Sequence, residues 1–120
     1  MDRQKIGQEH EALAERYLLA KGMTIRTRNY RCKSGEIDLI AEHNGTLVFV
    51  EVRYRGPTSL VSSEESVTVT KQRRIIRAAQ HYLLRQRVEL PCRFDVLAIN
   101  RTALGRPKIH WIDNAFDAPA

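Results

Sequence analysis

The distribution of apolar residues predicts an α/β fold, a mixed sheet with helices on its faces in the order αβββαββ. Three observations carry that expectation. Residues 4–21 and 70–87 repeat apolar side chains at helical spacing, five shorter stretches are rich in β-branched and aliphatic residues, and an Asn-Gly pair joins two of those stretches.

In chain order, Ile6, Leu13, Ala14, Tyr17, Leu18 and Ala20 fall on one arc of a helix, which Lys21-Gly22 should stop. Residues 23–28 read as a short strand followed by a basic loop that ends at Ser34-Gly35. Residues 36–42 and 46–54 are aliphatic strands on either side of Asn44-Gly45, and a two-residue type I′ turn needs positive φ at both of its central positions. Residues 55–67, with Gly, Pro and four serines, predict a flexible loop or lid. The second helix has Thr68 or Thr70 as its N-cap and a stripe of Ile75, Ile76, Ala79, Tyr82 and Leu83. Pro91 precedes a strand over 93–100, and Pro107 can stand only at the start of a last edge strand over 107–112.

At 120 residues the chain is expected to form one domain, residues 1–120. No apolar run exceeds four residues, so a membrane helix is excluded, and the charged start predicts a cytoplasmic protein. Cys32 and Cys92 lack metal-ligand spacing and read as inert thiols. Twenty basic residues against 14 acidic ones give a formal charge of +6, and 15 of the 20 are arginine, whose planar fork suits phosphate oxygens. No acidic residue interrupts the stretch between Glu65 and Glu89, and Arg26, Arg28, Arg31 and Lys33 form a second basic group. Each run alone is a solvated face; together they point to a polyanionic partner.

The hairpin turn fixes a register in which His43 faces Thr46, Ile40 faces Phe49, Asp38 faces Glu51 and Glu36 faces Arg53, with these side chains on one face. Ile37, Leu39 and Ala41 then share the other face with Val48, Val50 and Val52. Two carboxylates about 5 Å apart repel by roughly 3 kcal/mol at an effective dielectric of about 20. Either a neighbouring arginine or protonation offsets that repulsion, or a divalent cation does, with water and substrate phosphate completing an octahedron. Glu11 lies at the border of the first helix's apolar stripe and is a candidate third acid. Gln72 lies inside the second helix's stripe, either as a hydrogen-bonded core amide or as a group reaching water or phosphate. Asp95 and His110 alternate with apolar residues and are assigned to structure.

The segments Gly35-Glu36-Ile37-Asp38-Leu39-Ile40, Val48-Phe49-Val50-Glu51-Val52-Arg53-Tyr54-Arg55, Thr70-Lys71-Gln72 and Arg93-Phe94-Asp95-Val96 resemble the bacterial YraN family. That family is similar to Holliday-junction resolvases within the PD-(D/E)xK nuclease superfamily, and the resemblance spans roughly residues 7–117. It implies a restriction-endonuclease-like αβββαβ core. It also implies that Asp38 and Glu51 bind Mg²⁺, or Mn²⁺ in its place, with the Val52 carbonyl as a further ligand. Glu11 matches the first-helix glutamate, and Lys71 and Gln72 match a KQ element at the start of the second helix. Two positions depart from the superfamily pattern: Ile37 stands where a proline is usual, and Arg53 stands where the motif has lysine. Arginine stays protonated, so it can orient water or stabilise phosphorane charge but cannot take a proton.

The resulting expectation is Mg²⁺-dependent hydrolysis of DNA phosphodiesters, in branched or single-stranded regions of recombination intermediates. The catalytic set is Glu11, Asp38, Glu51, Arg53 and Gln72, while Arg31, Lys33, Arg55, Lys71 and Arg74 track the nucleic-acid backbone. Symmetric cutting of two strands would require a homodimer. The alternative is a nuclease-fold module, weak or inactive in catalysis, that binds nucleic acid or a protein partner.

Overall fold

The computed structural model describes residues 3–56 and 67–118, with side chains described from Gln8 onward. The expected loop over 55–67 falls mostly on residues 57–66, outside the described residues. The elements follow the expected order: α1 (Arg3–Ala20), β1 (Thr24–Cys32), β2 (Gly35–His43), β3 (Thr46–Arg55), α2 (Val69–Gln86), β4 (Cys92–Arg101) and β5 (Pro107–Phe116). The strands form one sheet in sequential order; β3 and β4 are parallel, and the other neighbours are antiparallel.

Local chemistry sets the ends of each element. The α1 helix closes with Gly22 at φ +89°, where the Met23 N–H returns to the Leu18 carbonyl at 3.1 Å. In α2 the N-cap is Thr68, whose Oγ1 accepts the Lys71 N–H at 3.1 Å, and the cap at the other end is Arg87 at φ 53°. The β2–β3 turn has φ of 52° at Asn44 and 79° at Gly45, as the type I′ turn requires.

Two cores lie on opposite faces of the sheet. Ile37, Ile40, Leu47, Phe49 and Phe94 pack against Ile75, Ile76, Ala78, Ala79 and Tyr82 of α2. Leu39, Ala41, Val48, Val50, Leu97 and Ile99 pack against Ala14 and Leu18 of α1. The central strands are therefore buried on both faces, which explains their long aliphatic runs.

Four sequence expectations need correction. The first strand does not stop at residue 28 but runs to Cys32, so Arg31 belongs to the strand and not to a basic loop; Arg31 pairs with Glu36 on β2 at 3.4 Å, and Arg28, inside the expected strand, pairs with Glu15 on α1. Cross-strand and helix contacts override the polarity that reads as a loop. The last strand continues to Phe116, because Phe116 stacks on Phe94 and the Asn114 N–H bonds Asp95. Ala20 is exposed and not part of the buried face of α1. Ile37 packs beneath α2, whereas Leu39 packs beneath α1, so strict alternation fails between them. The break coincides with Asn29 on β1, which has φ 50° and lies between the paired positions Arg28↔Leu39 and Tyr30↔Ile37.

The remaining polar core is satisfied. Asp95 is fully buried and accepts hydrogen bonds from Arg93 Nε, Trp111 Nε1 at 2.8 Å and the Asn114 N–H at 2.9 Å, a structural role as expected. Cys32 and Cys92 are free thiols, and burial of its sulfur pushes the Cys92 thiol up, away from the reactive thiolate.

Candidate metal and phosphate site

The site forms where the β2–β3 ladder ends. Pairing runs from His43↔Thr46 to Leu39↔Val50, and the next residues along each strand are Asp38 and Glu51. Past the last pair, the Val52 N–H donates to Asp38 Oδ2 at 2.8 Å, so a side chain takes over from the backbone ladder. The expected register holds as far as Leu39↔Val50, and the expected pairs Asp38–Glu51 and Glu36–Arg53 lie past its end; Asp38 lines a cleft beneath α1 whereas Glu51 meets Lys71 of α2, so the two acids are neighbours but do not share one sheet face as expected. Glu36 instead pairs across β1 with Arg31.

Burial of Asp38 and the neighbouring Glu51 charge raise its pKa from 3.8 to about 7, opposed by the Val52 N–H and the charge of Lys71. Glu51 is only 5% exposed. Its Oε1 lies 3.0 Å from Lys71 Nζ and 3.8 Å from the Arg53 guanidinium. The acids thus have cationic neighbours from two elements, one on the strand and one on the helix.

Lys71 owes this position to two local features. The Thr68 cap places it in the first turn of α2, and Gly35 lets that helix approach β2 closely. A Cβ on Gly35 would stand 2.5 Å from the Arg74 carbonyl oxygen, so no larger residue fits without moving the backbone.

On the α1 side, Asp38 opens into a cleft of about 190 Å³ lined also by Gln8, Glu11, Glu15, Arg28 and Asn29. Asn29 Nδ2 donates to Glu11 Oε2 at 3.4 Å, so Glu11 borders the cleft from a fixed direction. Glu15 is held by Arg28, whose hydrogen bond lowers the Glu15 pKa. His10 stacks on Tyr54 with ring centroids 3.5 Å apart and so ties α1 to β3; burial and Arg101 lower its pKa.

Gln72 Nε2 donates to the Val67 carbonyl at 3.1 Å, which fixes one side of its amide. Arg31, Lys33 and Arg74 are exposed, while Arg55 is half-buried and donates to the Tyr54 carbonyl at 2.9 Å. Two contributors escaped sequence reasoning. Asn29 carried a usable signal, since asparagine tolerates the left-handed region better than most residues. The Lys71–Glu51 contact carried none, because it joins residues on different elements.

The donor set suits a hard divalent cation in part. Two carboxylates, one of them raised by burial and then by its neighbour's charge, offer oxygen ligands that a double positive charge would satisfy. Among the described residues no group of three or more His, Cys, Asp or Glu side chains could hold a metal ion. A cation held by two carboxylates would keep positions for water and phosphate, as Mg²⁺ does on phosphate substrates.

A five-stranded mixed sheet between two helices is the architecture of a restriction-endonuclease-like core. The sequence places the chain further. Residues 10–99 match the family described as "Uncharacterised protein family UPF0102", and the chain belongs to that family, the YraN group whose motifs it carries. Among its relatives are UPF0102 proteins of Saccharophagus degradans, 48% identical over 92% of this chain and 91% of the relative, and of Aeromonas hydrophila, 49% identical over 92% and 83%. The UPF0102 protein of Lachnoclostridium phytofermentans is 45% identical over 98% of both chains. None of the described helices is long and apolar enough to cross a membrane.

Proposed function

We propose that the chain is a divalent-metal-dependent endonuclease of DNA, acting on branched or single-stranded regions of recombination intermediates. The observation that carries the reading is the crowded Asp38–Glu51 pair, set among Lys71 and Arg53 at the end of the β2–β3 ladder. Asp38, Glu51 and the Val52 carbonyl would hold Mg²⁺ or Mn²⁺. When bound, the ion supplies charge neutralisation at the scissile phosphate and acidifies an attacking water.

The rest falls to the chain's own groups. The Val52 N–H fixes the Asp38 carboxyl, which keeps one acid oriented while the other is approached from α2. Arg53 stabilises charge developing on the phosphate, and Glu11 borders the cleft through which water reaches Asp38. Arg31, Lys33, Arg55, Lys71 and Arg74 bind phosphates along the strand. Symmetric cutting of a junction would need a second copy of the chain.

One observation favours a binding module instead: Glu51 is already charge-paired with Lys71 at 3.0 Å, as a purely structural acid would be. Cleavage separates the two readings. Purified protein is incubated with labelled junction, flap, single-stranded and duplex DNA in Mg²⁺ or Mn²⁺, beside Asp38→Ala and Glu51→Ala. The nuclease reading expects cleavage that both variants lose by roughly 100-fold or more. Salt-sensitive binding with no cleavage of any substrate establishes the module.

A further inference from the structure

Glu51 Oε1 is the point where two demands meet. It belongs to the more deeply buried of the two acids of the proposed metal site, and it is the atom that the Lys71 ammonium approaches to 3.0 Å. We infer that Lys71 and a divalent cation compete for Glu51 Oε1, and that nucleic-acid phosphate accepts the ammonium once the cation has the carboxylate. The inference rests on the proposed metal and nucleic-acid reading, and it adds a coupling between the two ligands.

The geometry makes the exchange one-sided. Glu51 is buried on a central strand and cannot turn away, whereas Lys71 is 39% exposed on a flexible four-carbon stem. Its backbone stays fixed by the Thr68 cap and by the close approach of α2 over Gly35. A doubly charged ion on Glu51 repels an ammonium at hydrogen-bond distance, so the mobile partner is the lysine. It has somewhere to go: Lys71 lines a crevice with Glu36, Arg74 and Ile75, and Arg74 beside it is exposed. A phosphate at that mouth would take both cations. Arg53 is poorly suited to the exchange, being 3.8 Å from the same oxygen and only 16% exposed.

Two consequences follow from linkage. Removing the ammonium should strengthen metal binding in the absence of DNA. Phosphate that holds Lys71 should favour the metal, and by reciprocity the metal should favour phosphate through Lys71.

The test is Mn²⁺ calorimetry on the full chain, comparing wild type with Lys71→Met and Lys71→Arg, with Asp38→Asn to identify the site. Lys71→Met should bind Mn²⁺ at least five-fold more tightly than wild type, while Lys71→Arg stays within about two-fold of wild type. In anisotropy titrations with a labelled duplex, the gain in DNA affinity on adding Mn²⁺ should be at least three-fold smaller in Lys71→Met than in wild type. Equal or weaker Mn²⁺ binding by a folded Lys71→Met overturns the competition and leaves the metal site standing. If neither wild type nor Lys71→Met binds Mn²⁺ in a way that Asp38→Asn abolishes, the metal reading itself falls, and the competition with it.

Discussion

Asp38 ties the stability of the fold to pH. Its carboxyl is ordinary at 3.8 in an unfolded chain and raised to about 7 in the folded one, first by burial and then by Glu51. Between those values the folded state keeps a proton that the unfolded state has released, so stability falls as pH rises from about 4 to about 7 and is level beyond. An Asn at this position keeps an acceptor for the Val52 N–H and removes the titration. Asp38→Asn should therefore leave metal-free stability nearly unchanged at pH 4 and raise it by roughly 1–3 kcal/mol at pH 8, read by urea unfolding at both values. The opposite sign, or no pH dependence in the difference, would mean that Asp38 is not crowded by its neighbour. The nearness of the two acids was legible in the sequence because the Asn44-Gly45 turn fixes the register up to Leu39↔Val50, beside both of them. That Asp38 opens toward α1, in a cleft with Glu11, was not, because the loss of alternation beside Ile37 depends on Asn29 of the neighbouring strand.

At the scale of elements, α2 does two jobs with two faces. Ile75, Ile76, Ala79 and Tyr82 bury one face, and Arg73, Arg74 and Arg77 remain exposed on the other. The helix reaches the acids because Gly35 leaves room for the Arg74 backbone. Gly35→Ala would force a shift of β2 or α2 and should cost about 1–3 kcal/mol, read by urea unfolding. The same shift should displace Lys71, so Gly35→Ala should mimic Lys71→Met in Mn²⁺ calorimetry if it still folds. The structure chose Thr68 over Thr70 as the cap and added Ala78 to the buried face, but the extent of α2 and most of its stripe followed from local sequence, since periodicity is a short-range signal. The extents of β1 and β5 did not. Both are edge strands whose outer residues are polar, and what holds them is contact with α1, β2 and β4 rather than their own pattern.

Across the whole molecule, the formal charge of +6 resolves into a buried acidic centre and a basic periphery. If that periphery follows a phosphate backbone, log K for a duplex should fall linearly with log salt, and Arg74→Ala or Arg77→Ala should each lower the slope by about one. Unchanged slopes would move the nucleic-acid surface away from α2. The sequence by itself determined the order of elements, the two amphipathic helices, the hairpin register and the nearness of Asp38 and Glu51 at its end, because each rests on turn chemistry or periodicity within a few residues. Only the tertiary structure decided which cations attend those acids. Arg53 follows Glu51 closely in the chain, yet Lys71, from a helix beyond the strand, is the closer partner. That contact depends on the packing of α2 over Gly35, and packing distance between separate elements is not written in any local pattern of residues.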